Sequence, residues 1–204
     1  MSYQRFENEK SSSNSHKKFE SLQLDPNAIK NKTAMDIGCN EGYFCFKLAE
    51  AGAKSVTGID NKDKWIKLAN KRNSYKNVQF IQGDINYIRT LQNESFDLVL
   101  LLSAMHYMCD PNDRDEDDVP MIINEIVRIL KPGGVFIFEG GVYKQDIQES
   151  YLKLKRSIGD TVYHITEKHL TSSIANKFSH FSLVGNSVKQ GGDPIDRFVY
   201  KGVK

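Results

Sequence analysis

Cysteine is scarce in this 204-residue chain: there are three, Cys39, Cys45 and Cys109, and no Cys-x-x-Cys pair. An odd count at that spacing excludes a disulfide framework and suits a reducing compartment. Long apolar runs are missing as well. The longest, Leu98 to Met105, is far shorter than the roughly 20 residues that cross a bilayer, and the first residues show no signal-peptide pattern. Neither charge sign dominates: 28 Lys and Arg stand against 26 Asp and Glu, and a formal charge of +2 gives no global field to draw in nucleic acid. No internal repeat is present. These absences predict a cytoplasmic protein without a membrane segment, and 39% apolar residues suffice for one sizeable core.

What the chain does have is concentrated in residues 33–44, Thr-Ala-Met-Asp-Ile-Gly-Cys-Asn-Glu-Gly-Tyr-Phe. An apolar strand pattern runs into Asp36 and Gly38 and breaks at Cys39, Asn40, Glu41 and Gly42. Phe44, Leu48 and Ala49 then restart at helical spacing. Strand, Gly-rich turn and helix in that order put a helix N-terminus at the carboxyl end of a strand, where open α/β sheets bind nucleotide-like ligands. A second short strand, Val56 to Asp60, ends in a carboxylate about 20 positions after the turn, the spacing that reaches ribose hydroxyls. Together they predict an adenosine-containing cofactor. The turn lacks a phosphate cradle: Asn40 occupies the slot of a dinucleotide site's middle Gly, and no Lys follows. Asn tolerates left-handed backbone, so the turn remains buildable.

Strand and helix patterns alternate five times from Thr33 to Phe138, which predicts parallel β-α-β units with right-handed crossovers. Beyond Tyr143 the pattern predicts a helical stretch to about Ile158 and a short helix near Thr166 to Ser173. Two strands follow, around Phe181 to Val188 and Ile195 to Lys201, with a turn at Gln190 to Pro194. Residues 1–18 are polar and read as a flexible arm or lid, with residues 19–204 as one domain.

At this point the chain resembles the class I S-adenosylmethionine-dependent methyltransferases. The first motif is Asp36-x-Gly38-x-x-x-Gly42, with Asn40 where that family usually has a further Gly. Gln82-Gly83-Asp84-Ile85 matches the third motif, Phe96 to Tyr107 the fourth, and Leu130 to Phe138 the helix-turn-strand that follows. The resemblance covers residues 33–139, about half the chain. It implies a Rossmann-like α/β fold: a seven-stranded, mostly parallel sheet in the order three-two-one-four-five-seven-six, closed by a C-terminal antiparallel hairpin. The ligand is then expected at the carboxyl ends of the first, second and fourth strands.

The resemblance also implies roles. The backbone of Gly38, Cys39, Asn40 and Gly42 lies against the methionine part of S-adenosyl-L-methionine. Asp60 takes the ribose hydroxyls, Asn61 lies beside the adenine, and Asp84 with the Ile85 N–H reads its edge. Asp36 supports the methionine amino end, and the Ser103 region offers it a carbonyl. The competing reading for Asp36, Asp60 and Asp84 is strand-end capping of neighbouring turns.

His106, just past the fourth strand, is the candidate base for a hydroxyl acceptor, or else a wall residue; Tyr107 is a second wall candidate. Tyr163, His164 and Arg197 are the candidate substrate contacts. Arg197 suits an anionic group, or pairs structurally with Asp193 or Asp196. No metal is expected: His164 and His169 are five apart and share no helix face, and the acidic run Asp113 to Asp118 lacks a calcium loop's Gly and Glu. The run Asp110 to Asp118 reads as a solvated loop whose last carboxylates cap a helix that begins near Val119.

The expected activity is methyl transfer to a small-molecule acceptor, a metabolite or a carbohydrate or phosphate-bearing precursor, at oxygen. An RNA or tRNA acceptor contacted by Lys10, Lys17 and Lys18 is the alternative, and a non-catalytic cofactor-binding regulator is the second. The oligomeric state has no signature in the sequence.

Overall fold

A computed structural model describes residue 4 and residues 14–108, 118–144, 151–155, 161–187 and 196–204; of residues 106, 118, 151–155 and 161–164 it describes the backbone alone. In chain order the elements are α1 (Ser15–Ser21), a 3-10 turn (Pro26–Ala28), β1 (Thr33–Ile37), α2 (Tyr43–Glu50), β2 (Ser55–Asp60), α3 (Asp63–Arg72) and β3 (Val78–Gln82). Next come α4 (Ile85–Thr90), β4 (Phe96–Leu102), α5 (Met105–Met108), α6 (Asp118–Ile129) and β5 (Leu130–Tyr143). The chain closes with β6 (Tyr151–Lys155), β7 (Thr161–Thr166), α7 (Glu167–Ile174), β8 (His180–Asn186) and β9 (Arg197–Val203).

Strands β1 to β5 are parallel and lie in the order β3-β2-β1-β4-β5. β9 pairs antiparallel with β5, from Val135↔Val203 to Gly141↔Arg197, and β8 pairs antiparallel with β9. Counting β8 and β9 as the sixth and seventh strands, this is the expected three-two-one-four-five-seven-six order. A parallel sheet must be covered on both faces, so its central strand reads as a continuous apolar run. In β4, Val99 and Leu101 pack into one core with Ile122, Ile126 and Phe136, while Leu98 and Leu100 pack into the other with Phe44, Leu48 and Val56.

The stretch after Tyr143 differs from expectation. Where a helix to about Ile158 is predicted, β6 and β7 form a hairpin with register Tyr151↔Ile165 to Lys155↔Thr161. β5 overshoots the sheet to Tyr143, and its free edge pairs with β7 at Val142↔Ile165 and Tyr143↔Thr166. An exposed ladder outweighs weak helical propensity once a neighbouring strand presents it. Among the described residues the sheet therefore has nine strands, seven in the predicted core and two added. The short helix predicted near Thr166 is α7, capped by the Thr166 side chain, which accepts from His169 N. The predicted turn at Gln190 to Pro194 holds residues 190–194, outside the described residues.

The boundary drawn between arm and domain at residue 18 falls inside α1. Phe19 stacks toward Phe44 on α2 with ring centroids 6.4 Å apart, and Leu22 is fully buried.

Candidate functional site

The carboxyl ends of β1, β2, β3 and β4 surround one cavity of about 600 Å³, within the size range of small-molecule and cofactor sites. It opens where strand order reverses direction about β1, the topological switch point of the sheet.

The turn after β1 is shaped by three residues in left-handed backbone: Gly38 at φ 78°, Asn40 at φ 51° and Gly42 at φ 88°. A Cβ on Gly38 would lie 2.6 Å from Ala104 Cβ, so this position keeps the turns after β1 and β4 in close approach. Its amides are committed internally. Gly38 N and Cys39 N both donate to Ile59 O at 2.8 Å, Asn40 N donates to Asp60 Oδ2 at 3.0 Å, Glu41 N to Asn40 Oδ1, and Gly42 N to Cys39 O. Tyr43 N donates to the side-chain oxygen of Gln4 at 2.9 Å, and Gln4 Nε2 donates back to Cys39 O. A pyrophosphate therefore finds no row of waiting N–H groups here, in line with the missing phosphate signature.

On the β2 and β3 side, Asp60 accepts from Asn40 N and from Lys62 N, 3.0 Å each, which fixes its carboxylate at the rim. Asp84 caps α4 by accepting from Asn86 N at 2.8 Å and also lines the cavity. Capping and cavity lining thus coexist in both carboxylates. Asn61, Lys62, Trp65, Gly83 and Ile85 complete this side.

On the β1 and β4 side the cavity meets Asp36, which is buried and whose Oδ2 accepts from Cys45 Sγ at 3.6 Å. Burial pushes the Asp36 carboxyl up to about 7. Beside it lies an ionic cluster. Lys18 Nζ donates to Ser103 Oγ at 2.6 Å and to Glu139 Oε2 at 3.0 Å, and Ser103 Oγ donates to Glu139 Oε2 at 2.8 Å. Arg197 Nε donates to Glu139 Oε1 at 2.8 Å, and Arg197 Nη2 reaches Glu139 Oε2 and Ser103 Oγ. Lys18, Glu139 and Arg197 are all buried. Burial alone would push the Glu139 carboxyl up, but Lys18 and Arg197 beside it outweigh that and hold it well below the usual carboxylate range.

The structure brings most of the expected cofactor residues together: Asp36, Gly38, Asn40, Asp60, Asn61, Asp84, Ile85 and Ser103 all line the cavity. Cys39 and Gly42 do not. The Cys39 side chain is fully buried, and a Cβ on Gly42 would meet Phe80 and Phe46 in the core. Tyr107 lines the mouth, 65% exposed, with Lys62 Nζ 5.9 Å from its ring centre. The side chains of His106, Tyr163 and His164 lie outside the described residues, although their backbones belong to α5 and β7.

Arg197, expected at an anionic substrate group or at Asp193 or Asp196, is buried against Glu139, a partner the sequence did not suggest; Asp193 lies outside the described residues. Lys18, expected on a mobile basic arm, is buried in the same cluster. Sequence reasoning missed Glu139, Gln4 and Trp65. Glu139 alone carried a signal, as a charge inside the apolar strand pattern of β5.

Comparisons with known proteins bear on this site. A sequence profile described as a methyltransferase domain matches residues 29–179. The chain is 33% identical over 107 residues to the phthiotriol/phenolphthiotriol dimycocerosates methyltransferase of Mycobacterium leprae, covering 52% of this chain and 36% of that one. It is 27% identical over 165 residues to the tRNA U34 carboxymethyltransferase of Nautilia profundicola, covering 77% and 51%. It thus spans about a third to a half of these curated relatives. Its fold matches that of an S-adenosylmethionine dependent methyltransferase from Mesorhizobium loti with a TM-score of 0.66 at 17% identity, covering 92% of this chain and 97% of that one.

Proposed function

Because the chain belongs to the methyltransferase-domain family, whose cofactor is S-adenosylmethionine, we propose that it catalyses methyl transfer from this cofactor to an oxygen of a small molecule. The observation that carries the reading is the cavity at the switch point. It has carboxylates at the tips of β2 and β3 and a buried carboxyl and ammonium on the β1 and β4 side. Those groups suit a ligand with sugar hydroxyls and a base at one end and an amino acid at the other. The cavity volume and the committed turn amides fit that ligand better than a dinucleotide.

When bound, the cofactor's sulfonium supplies an electrophilic methyl group. The chain's residues do the rest. Asp60 accepts hydrogen bonds from ribose hydroxyls, Asp84 and the Ile85 N–H recognise the adenine edge with Asn61 beside it, and Asp36 with the Ser103 backbone holds the ammonium. Tyr107 walls the acceptor side at the mouth. His106 takes the proton from the acceptor hydroxyl as its oxygen is methylated. The segment before α1 and the Tyr163–His164 stretch exclude water.

A second reading, an RNA acceptor, is favoured by the likeness to a tRNA-modifying relative over 77% of the chain. With Lys18 buried, its arm contacts reduce to Lys17, which is exposed, and Lys10, outside the described residues. Release of S-adenosylhomocysteine, assayed over hydroxylated metabolites, phosphorylated sugars and unmodified tRNA, separates the two. Turnover on the first two classes, lowered roughly a hundredfold or more by His106→Ala with cofactor affinity intact, is the expected result. Turnover on tRNA alone would replace the small-molecule reading, and cofactor binding with no turnover would favour a regulator.

A further inference from the structure

Positive charge in this chain is gathered on one helix. Residues 61–77 hold six Lys and Arg against one carboxylate, Asp63, so the stretch carries +5 and the remaining residues −3 of the chain's +2. Most of it is α3, which buries Ile66 and Ala69 in the core. At 3.6 residues per turn, Lys64, Lys67, Leu68 and Lys71 fall together on the opposite pole, within about a third of a turn. The three lysines are exposed, and so is Leu68, at 36%. Lys62, the residue before α3, lines the cavity mouth with its Nζ 5.9 Å from the ring centre of the exposed Tyr107.

We propose that this face of α3 docks the protein on an anionic lipid bilayer, with Lys64, Lys67 and Lys71 against the headgroups and Leu68 at the acyl boundary. The cavity mouth is then set beside the membrane surface. The inference goes beyond the methyl-transfer reading and does not rest on it.

Three observations choose the partner. The first is charge. Asp63 pairs with Lys67 at 2.6 Å, an exposed pair worth little, and the stretch holds no second carboxylate to offset Lys64 and Lys71. Each lysine near an anionic leaflet adds to its attraction, and the three act together because one helix presents them on one face. The second is shape. Polynucleotide sites track the phosphate backbone along a groove and stack bases on aromatic rings. Here the cations stand on the outward pole of a single helix, and the apolar residue among them is an aliphatic Leu with no ring to stack. An apolar side chain framed by lysines is what a helix lying in a membrane interface offers. The third is placement. Lys62 and Tyr107 carry the same combination of cation and amphipathic side chain from the end of α3 to the mouth of the cavity.

The chain's only tryptophan, Trp65, sits on α3, so its fluorescence reports on this helix alone. Vesicles of phosphatidylcholine, with or without phosphatidylglycerol, are titrated with no cofactor present, so the outcome leaves the methyl-transfer reading untouched. Wild type is expected to sediment with the phosphatidylglycerol vesicles only, to release in high salt, and to lose Trp65 emission when the acyl chains carry bromine. The triple variant Lys64→Gln, Lys67→Gln, Lys71→Gln should lower the partition coefficient about a hundredfold, roughly fivefold for each lysine. Gln matches Lys in helix propensity, and melting curves verify the fold. A control triple variant, Lys30→Gln, Lys54→Gln, Lys168→Gln, removes equal charge from exposed positions off α3 and should stay within about threefold of wild type. No partition of wild type, equal losses in the two triple variants, or vesicle binding without quenching of Trp65 would overturn the proposal. So would binding of unmodified tRNA through the α3 lysines with vesicles left unbound, which would make the face an RNA site. Should the α3 variant fail to fold, quenching of Trp65 in wild type decides by itself: its presence supports the docking face, and its absence overturns it.

Discussion

At the scale of single residues, Asp36 and Asp60 are both strand-end carboxylates and answer to different physics. Asp60 is at the rim, held by two backbone N–H groups, and is presented ready to accept hydrogen bonds. Asp60→Ala is expected to weaken S-adenosylhomocysteine binding by about 2 kcal/mol, the worth of hydrogen bonds to a charged acceptor. Unchanged affinity in a calorimetric titration would remove the tip of β2 from the site. Asp36 is buried, and burial raises its carboxyl from 3.8 to about 7. Between those values the folded chain holds a proton that the unfolded chain has released. Asp36 therefore makes stability fall as pH rises from about 4 to 7, with no further change from this group above that window. Asp36→Asn removes the slope, so its melting temperature should drop less than that of wild type between about pH 4 and pH 7, the span of the titration. Equal slopes in the two proteins would show that another group carries the dependence.

At the scale of elements, one carboxylate ties four of them. Glu139 on β5 binds Lys18 from α1, Arg197 from β9 and Ser103 at the end of β4. The pair Lys18 and Glu139 is 121 residues apart in sequence, so the cluster closes the chain's two ends over the sheet. Glu139→Gln leaves two buried cations without their counter-charge, and a cost of about 3–5 kcal/mol in urea unfolding is expected. Adding Lys18→Met should recover part of that loss, because one of the stranded charges goes with it. Additive losses would mean that Lys18 and Glu139 do not act as a pair. The carboxyl is held below its usual range, so this contribution is present at neutral pH and is lost only in strong acid.

At the scale of the whole molecule, the sheet divides the labour. The β4-β1-β2-β3 half carries the cofactor cavity, while β5, extended to Tyr143, carries the β6–β7 hairpin at the same carboxyl edge. The hairpin joins the main sheet at two register pairs, Val142↔Ile165 and Tyr143↔Thr166. Replacing residues 145–164 by a short Gly-Ser linker retains both anchors, since Ile165 is buried in the core and Thr166 caps α7. The shortened protein should bind S-adenosylhomocysteine as wild type does and lose turnover on the acceptor, as fits an added wall of the acceptor site. Lost cofactor affinity would instead make the hairpin part of the cofactor fold.

The sequence by itself determined the order of β1 to β5, the left-handed turn at Gly38, Asn40 and Gly42, and the carboxylates at Asp60 and Asp84. These signals are local: apolar periodicity, residues that accept positive φ, and acidic residues where a strand stops. Only the tertiary structure decided the rest. Tyr151 to Lys155 became a strand because β7, itself seated on the edge of an overshooting β5, offered it a partner. Arg197 and Lys18 left the surface because Glu139, 58 and 121 residues away in the chain, was buried between them. An ion pair leaves no periodic trace in sequence, and its partners are chosen by the geometry of the closed sheet, since a buried charge must find whichever counter-charge the fold brings within reach.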